Sequence, residues 1–420
     1  MRNVLLIVID CLGQLFVHGN KRRVYPFLDS LFSRGLSVTQ CVSVSTTTSP
    51  SVASILTGTY PINHGITTLA GATLDTRAPC LAEVLGSFGY RTYAEVTGPL
   101  YPDLGMDRGF LNYNYREKGQ YLGSEWGEEL CKRMRSGEFR RPWFLLLHLW
   151  ELHQPRWSPF KPGGGKRVSF ESALRWLDRA MENTLGSCLD MDNTILILTG
   201  DHGERVERNH LDKLLRVALV RGYEKFHERL GFPARWKARV DRHLRLGHGF
   251  HLMEDLIRVP LLILDKDRLP RGLELNMQAS NVDIFPILLG LLGIQYEDER
   301  LDGTDILGLW MKKISMPDHR AFLYASGVVL PDPEHHLEGL RWKGLKYIRQ
   351  RGAKEREAQW LYKVDEGFRE RPLRDDHTCS LMREEIERLH RSAWTDGTGR
   401  SMSQEESEAI ARRLRDLGYL

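Results

Sequence analysis

The sequence lacks the long apolar runs of a membrane-spanning protein. Its longest such runs, Val4–Ile9 and Phe144–Leu147, have the length of strands and fall well short of the roughly 20 residues that cross a bilayer. No cleavage site follows the first of them, so it does not have the form of a signal peptide. We therefore expect neither a membrane span nor a secretory leader.

Cysteine is scarce, and charged residues of one sign do not greatly outnumber those of the other. The six cysteines are scattered and form no CxxC pair, so the sequence indicates neither a zinc knuckle nor a disulfide scaffold. This pattern predicts reduced thiols in a cytoplasmic protein. Against 59 Lys and Arg residues stand 55 Asp and Glu residues, and the net charge of +4 is too mild to indicate a nucleic-acid partner. Such a balance suits a protein that handles a small anionic substrate. Nothing in the sequence indicates an oligomeric state.

The chain does contain strand-like apolar segments that alternate with helical patterns. The first, Asn3–Asp10, is almost continuously apolar, as expected of a strand buried on both faces of a parallel sheet. Further strands and helices are predicted in alternation at Tyr25–Arg34, Leu36–Val44, Pro50–Leu56, Leu81–Phe88, Arg91–Val96, Pro142–Leu149, Ser172–Cys188, Asn193–Leu198 and Val259–Leu264. This order predicts an α/β/α sandwich around a large, mostly parallel central sheet in residues 1–317. Residues 318–420 are expected to form a smaller C-terminal α+β subdomain of short antiparallel strands and helices.

Polar side chains stand where the predicted strands end. They are Asp10, the run Thr46–Thr48, Glu151 with His153, and Asp201 with His202. In open α/β sheets, ligands bind outside the carboxyl ends of the strands. Acid, hydroxyl and imidazole groups at four such ends predict a functional site there.

Thr48 stands at the predicted start of a helix, and two interpretations are open. A hydroxyl residue, Pro50 just inside the helix and Gly58 after it are ordinary start and stop signals, so Thr48 or Ser49 could be an N-cap. Alternatively, the oxygen of Thr48 acts as an anion that the positive end of the helix dipole and a nearby metal would stabilise.

Several segments resemble one known family. The stretch TSPSVASILTGTYPINHG, Thr48–Gly65, resembles the sulfatase signature, and NVLLIVID resembles the first strand of that family. Similar to later family motifs are FLLLHLWELHQP (144–155), NTILILTGDHGE (193–204) and GHGFHLMEDLIRVPLLI (247–263). The chain thus resembles, over most of its length, the sulfatase-like branch of the alkaline phosphatase superfamily.

The resemblance implies a set of site residues. Asp10, Asp201 and His202 take the places of metal ligands, and Thr48 takes the place of the nucleophile, facing the same metal. His153 and His248 take the places of basic residues that contact the transferred group or the leaving oxygen.

Departures from the family pattern indicate a change of substrate. Sulfatases oxidise a Cys or Ser to formylglycine, a route that Thr48 does not have, and Val52 replaces the Arg that follows the Pro-Ser pair. Cys11 replaces the second Asp of the usual calcium pair, and Thr97–Pro102 (TGPLYP) replaces a GKWHLG-type segment. A threonine nucleophile resembles the phosphoryl-handling members. We therefore expect a metal-dependent hydrolase acting on a phosphoester or phosphonate.

One divalent metal is predicted. Two carboxylates, one imidazole and one alkoxide suit a single site, and this mixed set favours Zn²⁺ or Mn²⁺ over Ca²⁺, which prefers an all-oxygen shell. A second ion would have to bind through Glu151, His153, His248 or His251, and this alternative stays open.

A basic insertion lies between two of these motifs. Residues 205–245 carry 12 Lys and Arg against 5 Asp and Glu, with apolar residues at helical spacing at Leu211, Leu214, Leu215, Ala218 and Leu219. It is expected to be either a helix packed on the domain or a lid that recognises an anionic substrate.

Three other functions stay open from the sequence. A phosphoryl-group transferase would use an acceptor alcohol in place of water, and a sulfuric ester hydrolase would follow the family label. An inactive relative would bind a metal or an anion without catalysis, although retention of Asp10, Thr48, Asp201 and His202 together argues against this.

Overall fold

The computed structural model describes residues 1–117, 119–154, 156–158, 166–207, 210–230, 240, 244–315, 318–331, 336–351, 358–394 and 401–417. Several parts of the predicted insertion, 208–209, 231–239 and 241–243, lie outside these ranges, as do Pro155 and residues 316–317 at the predicted domain boundary.

The elements follow one another along the chain as the alternating pattern predicts. The strands are β1 Asn3–Ile9, β2 Leu36–Val42, β3 Arg91–Val96, β4 Asn112–Tyr115, β5 Trp143–Leu149, β6 Trp157–Ser158, β7 Lys166–Arg167, β8 Thr194–Gly200, β9 Leu261–Leu264, β10 Leu273–Ser280, β11 Arg320–Ser326, β12 His336–Trp342, β13 Leu345–Gln350, β14 Ala358–Val364 and β15 Glu370–Leu373. The α-helices are α1 Pro26–Arg34, α2 Thr48–Thr57, α3 Pro61–His64, α4 Leu81–Ser87, α5 Glu125–Ser136, α6 Phe170–Asn183, α7 Leu185–Cys188, α8 His210–Leu230, α9 Glu254–Ile257, α10 Ile284–Leu292, α11 Ile306–Met311, α12 Asp376–Ser392 and α13 Gln404–Leu417.

The large sheet has eight strands in the order β10-β2-β9-β8-β1-β5-β3-β4. Strand β1 lies inside it, parallel to both β8 and β5, and all seven of its residues are buried. Only β9 runs antiparallel to its neighbours. The predicted large, mostly parallel sheet is therefore confirmed.

Helices cover both faces of this sheet. The side chains of β1 alternate: Val4, Leu6 and Val8 belong to an apolar cluster with α2, α4 and α10. Leu5, Ile7 and Ile9 belong to a second cluster with α1, α5 and α6. A strand packed on both sides has no polar face, which is why its sequence is almost continuously apolar.

The C-terminal part forms a separate antiparallel sheet, β11-β12-β13-β14-β15, as the α+β prediction requires. Met382 and Ile386 of α12 pack against one face of it. The last helix, α13, instead places Ile410 and Leu414 in the apolar cluster that contains α2. The exact division at residues 317 and 318 stays a prediction.

Some elements had no clear sequence signal. Helix α10 (IFPILLGLL) is apolar all round, so it shows no amphipathic period. The predicted helix Ser172–Cys188 is divided at Thr184, whose hydroxyl donates to the carbonyl of Ala180 at 2.6 Å.

Among the described residues, every helix is too short or too charged to span a bilayer.

A largely buried ion pair lies where the C-terminal sheet meets the large domain. The Nε2 atom of His319 lies 2.8 Å from Oδ2 of Asp283, which also accepts a hydrogen bond from the backbone of Ser280. Burial lowers the pKa of His319, but the charge and hydrogen bond of Asp283 outweigh it, and the pKa is raised above the ordinary value.

His319→Gln should therefore destabilise the fold in a pH-dependent way. Because the pKa of His319 is raised in the folded state, its stabilising charge is fully present below the unfolded pKa of about 6.5 and is lost as pH rises through the folded pKa. We expect a loss of about 1 to 3 kcal/mol near pH 6 and a smaller loss near pH 9, measured by urea unfolding. An equal loss at both values would show that only the neutral hydrogen bond contributes.

Candidate active site

Three chain segments converge at the carboxyl ends of the central strands. Asp10 directly follows β1, Asp201 directly follows the neighbouring β8, and Thr48 is the first residue of α2. All three side chains are buried. The structure thus brings together three side chains that lie up to 191 positions apart in the sequence.

Asp10, Asp201 and His202 form a cluster that could hold a metal ion. One ligand atom from each lies within 4.8 Å of the others. Nε2 of His202 is 3.7 Å from Oδ1 of Asp10 and 3.4 Å from Oδ2 of Asp201. Oδ2 of Asp201 is buried and accepts no hydrogen bond from the described residues. Two buried carboxylates facing one another in this way fit a bound cation.

The orientation of the His202 ring agrees with a ligand role. Its Nδ1 lies 2.9 Å from the carbonyl oxygen of Gly203, so we assign the proton to Nδ1 and leave Nε2 as the acceptor beside the carboxylates. Metal-binding imidazoles commonly donate their other N–H to a backbone carbonyl in this manner. Burial keeps the pKa of His202 below its ordinary value, and the neutral imidazole is the form that binds metals.

The hydroxyl of Thr48 faces the same cluster. Its Oγ1 lies 3.3 Å from Nε2 of His202. Thr47 occupies the N-cap position of α2, and its side chain makes no capping hydrogen bond. Thr48 is therefore the first residue of the helix and is not its N-cap. Ser51 fixes the start of the helix, since its hydroxyl donates to the carbonyl of Asp201 at 2.5 Å.

A second group of ionisable side chains lies beside the first. Nδ1 of His248 is 2.6 Å from Oε2 of Glu204, whose other oxygen accepts hydrogen bonds from Gln154 at 3.0 Å and Arg156 at 3.2 Å. The ring of His248 lies 4.3 Å from that of His202 and 5.4 Å from that of His153, centroid to centroid. The two histidines predicted from the motifs are therefore neighbours.

The pKa values of the two predicted histidines are shifted in opposite directions. Burial lowers the pKa of His248, but Glu204 outweighs it, and the pKa is raised above the ordinary value. Burial and the neighbouring His248 hold the pKa of His153 well below its ordinary value. Although burial raises the pKa of Glu204, His248 and Arg156 hold it below its ordinary value. The arrangement thus favours the protonated form of His248 and the neutral form of His153.

Cys11 lies within the site although no role was predicted for it. Its Sγ is 3.1 Å from Oδ1 of Asp10, and its backbone N–H donates to Oδ1 of Asp201 at 3.1 Å. Cys11 adopts a φ of 66°, which is uncommon for a residue with a side chain and is a form of strain found at functional sites. Its sulfur also forms a possible metal-binding trio with His202 and His248.

Glu151 and His251 belong to neither possible metal cluster of the described residues, and neither does His153. Oε1 of Glu151 accepts a hydrogen bond from the backbone of Leu122 at 2.7 Å. Nδ1 of His251 accepts one from the backbone of Met253 at 3.2 Å. These contacts orient both side chains within the protein scaffold.

Glu204, Gln154 and Arg156 were not predicted as site residues. Glu204 was visible as the last residue of the DHGE segment, but its partners lie about 50 positions earlier in the chain. The role of Glu204 becomes recognisable only in the folded structure, where the segment that contains Gln154 and Arg156 lies beside it.

Comparisons with known proteins agree with this architecture. The sequence model of the sulfatase family matches residues 2–294. Arylsulfatase A of Bos taurus is 24% identical over 391 residues, covering 77% of this chain and 70% of that protein. Arylsulfatase H of Canis lupus familiaris is 36% identical over 103 residues, which are 21% of this chain and only 18% of that protein.

Solved structures match over nearly the whole chain. The phosphonate monoester hydrolase SpPMH from Silicibacter pomeroyi superposes with a TM-score of 0.66 and 16% identity, covering 97% of this chain and 98% of that one. At this identity the match shows a shared fold.

Proposed function

The chain belongs to the sulfatase family of hydrolases, and from that premise we propose that it hydrolyses a phosphoester or phosphonate with Thr48 as nucleophile. The observation that carries this proposal is the hydroxyl of Thr48 at the start of α2, 3.3 Å from Nε2 of His202 and beside two buried carboxylates. A hydroxyl placed between a helix N-terminus and a cation site is suited to nucleophilic attack.

The choice of phosphorus over sulfur rests on the chemistry of threonine. Oxidation of its secondary alcohol would give a ketone, so the aldehyde hydrate of the sulfatases cannot form at this position. Phosphoryl transfer needs no such modification, because an alkoxide can attack phosphorus in line.

Asp10, Asp201, His202 and Thr48 are the residues that would hold a divalent cation. When bound, that cation lowers the pKa of the Thr48 hydroxyl and offsets the charge of the transferred group. Of the side chains of the protein, Thr48 then acts as the nucleophile and His248 as the general acid.

In the proposed reaction, Thr48 reacts as its alkoxide, and its Oγ1 forms a bond to phosphorus while the bond to the leaving oxygen breaks. The protonated His248 donates its proton to that oxygen, and Glu204 holds the ring by its Nδ1 atom. Water then attacks the phosphothreonine and gives one proton to the neutral His248, while the bond between phosphorus and Oγ1 breaks and Thr48 leaves as the alkoxide that began the cycle. The neutral His153 contacts the transferred group.

The Lys and Arg side chains of the basic insertion are proposed to assist recognition of the anionic substrate, since residues of the site flank the insertion on both sides. A cytoplasmic location is also part of the proposal. It is supported by six cysteines that are all free of disulfide bonds.

The substrate class can be tested with matched para-nitrophenyl esters. The wild-type protein should cleave para-nitrophenyl phenylphosphonate or bis(para-nitrophenyl) phosphate with a kcat/KM on the order of 100-fold or more above that for para-nitrophenyl sulfate. Release of para-nitrophenol is measured by absorbance, with Thr48→Ala subtracted as the background.

Preference for the sulfate ester would overturn the substrate class in favour of the arylsulfatase relatives. Transfer of the phosphoryl group to an added alcohol at the expense of phosphate release would identify a transferase. Absence of turnover on all three esters, with metal bound, would favour an inactive relative.

A further inference from the structure

Helix α8 turns its apolar side chains to solvent. Of the sixteen large apolar side chains that are exposed among the described residues, six belong to α8. They are Leu211, Leu214, Leu215, Val217, Leu219 and Phe226. Leu211 is 66% exposed and Phe226 is 61% exposed, values that are unusual for side chains of this size.

Five of these residues form one stripe, whereas Val217 lies on another side of the helix. At 100° per residue, Leu211, Leu215, Leu219 and Phe226 fall within a quarter of the helix circumference, with Leu214 on its flank. Helix α8 therefore has a continuous apolar face that no part of the described structure covers. Contiguous exposed apolar surface of this kind marks an interaction site.

The half-buried side of α8 lies next to the leucine stripe and is partly polar. Asp212, Arg216, Val220 and Tyr223 are half-buried there, and Nε of Arg216 lies 2.8 Å from Oδ1 of Asp212. An ordinary surface helix has the reverse arrangement, with its leucines towards the core. The leucines are therefore exposed because of the orientation in which α8 packs on the rest of the protein.

The insertion is attached at a defined point. The backbones of Arg205 and Gly247 exchange two hydrogen bonds, at 3.0 and 3.3 Å. Arg245 binds Glu224 of α8 at 2.8 Å, which ties the helix to this neck. Glu204 and His248 directly adjoin the two neck residues, so the insertion begins and ends beside the proposed active site.

Charge decides which partner fits the apolar stripe. The segment 205–245 carries a net charge of +7, and Arg221 and Lys225 are exposed on α8 itself. A second copy of the chain would bring two such positive segments together. An anionic bilayer surface offers both an apolar layer for the leucines and negative headgroups for the basic side chains.

We propose that α8 is an amphipathic docking helix that lies in the interface of an anionic lipid membrane. The leucine stripe enters the boundary between headgroups and acyl chains, and the basic residues contact the lipid phosphates. The charges on its other side keep the helix at the surface instead of across the bilayer. The proposal concerns binding alone and does not depend on the ester that the protein hydrolyses.

Vesicle sedimentation tests this docking. The full-length protein should bind vesicles of phosphatidylcholine with phosphatidylserine far more tightly than vesicles of phosphatidylcholine alone, and added salt should weaken the binding. The triple variant Leu211→Gln, Leu215→Gln, Leu219→Gln should bind the anionic vesicles at least about 100-fold more weakly, because each buried leucine contributes roughly tenfold. Its turnover of a water-soluble ester should stay at the wild-type level.

A matched variant separates docking from general surface apolarity. Leu111, Leu373 and Leu381 are exposed leucines outside α8, and their replacement by Gln should leave vesicle binding unchanged. Circular dichroism confirms that both triple variants fold. Equal binding by the wild type and the α8 variant would overturn the proposal. So would a wild-type dimer in solution that the α8 variant cannot form, because the stripe would then cover a second copy.

Discussion

Thr48→Ala should lower kcat for the ester that the wild type cleaves best by on the order of 10⁴-fold or more, the loss seen when a covalent nucleophile is deleted. The methyl group of alanine leaves Asp10, Asp201 and His202 in place but provides no oxygen to attack phosphorus. The decrease should appear in kcat rather than in KM, since the substrate still meets the cation and the histidines.

The control for this variant is a second threonine of the same helix. Thr57 lies at the end of α2, and its buried hydroxyl donates to the carbonyl of Ala53 at 2.7 Å. Thr57→Ala should lose some stability and keep its turnover. Mass spectrometry of a quenched wild-type reaction should show a phosphoryl group on the peptide that contains Thr48. Near wild-type activity of Thr48→Ala in a clean preparation would contradict the assignment.

Asp201→Asn should release the metal ion and lower turnover by at least about 10³-fold, because several kcal/mol of charge stabilisation are lost in the transition state. Protein purified without chelator should hold one equivalent of a divalent ion per chain by elemental analysis. The imidazole of His202 in the donor set favours Zn²⁺ or Mn²⁺ over Ca²⁺.

Two further variants complete the metal experiment. Asp178→Asn changes a buried carboxylate that accepts backbone hydrogen bonds at the start of α1, at 2.8 and 3.2 Å, and should keep the ion. His248→Ala should also keep it and lose about 10² to 10⁴-fold in turnover as a missing acid. Two equivalents in the wild type, with the second lost in His248→Ala, would show that His248 is a ligand instead.

The fold could be predicted from sequence largely because its central strands are buried on both faces. Such strands are nearly continuous apolar runs, and Asp10 and Asp201 are conspicuous as the first acids after them. The α/β/α arrangement then follows from alternation alone. Helix α10 gave no comparable signal, since a helix that is apolar all round has no period to detect.

The finer parts of the site depend on tertiary contacts. The pair formed by Glu204 and Arg156, and the approach of the Cys11 sulfur to Asp10, arise from side chains whose partners a sequence does not specify. Helix α8 illustrates the same limit in another way. Its spacing of leucines predicts an apolar face, but whether that face meets the protein or the solvent depends on how the two ends of the insertion are held.

The paired backbone bonds between Arg205 and Gly247 have an evolutionary consequence. These bonds join the two ends of the insertion. The insertion can therefore change in length at little thermodynamic cost, because the entropy of closing a loop varies only with the logarithm of its length. Substitutions, insertions or deletions within the insertion therefore leave the large sheet and its helices intact. A lineage could thereby direct the same chemistry from one cellular surface to another by changing some forty residues that supply none of the proposed catalytic groups.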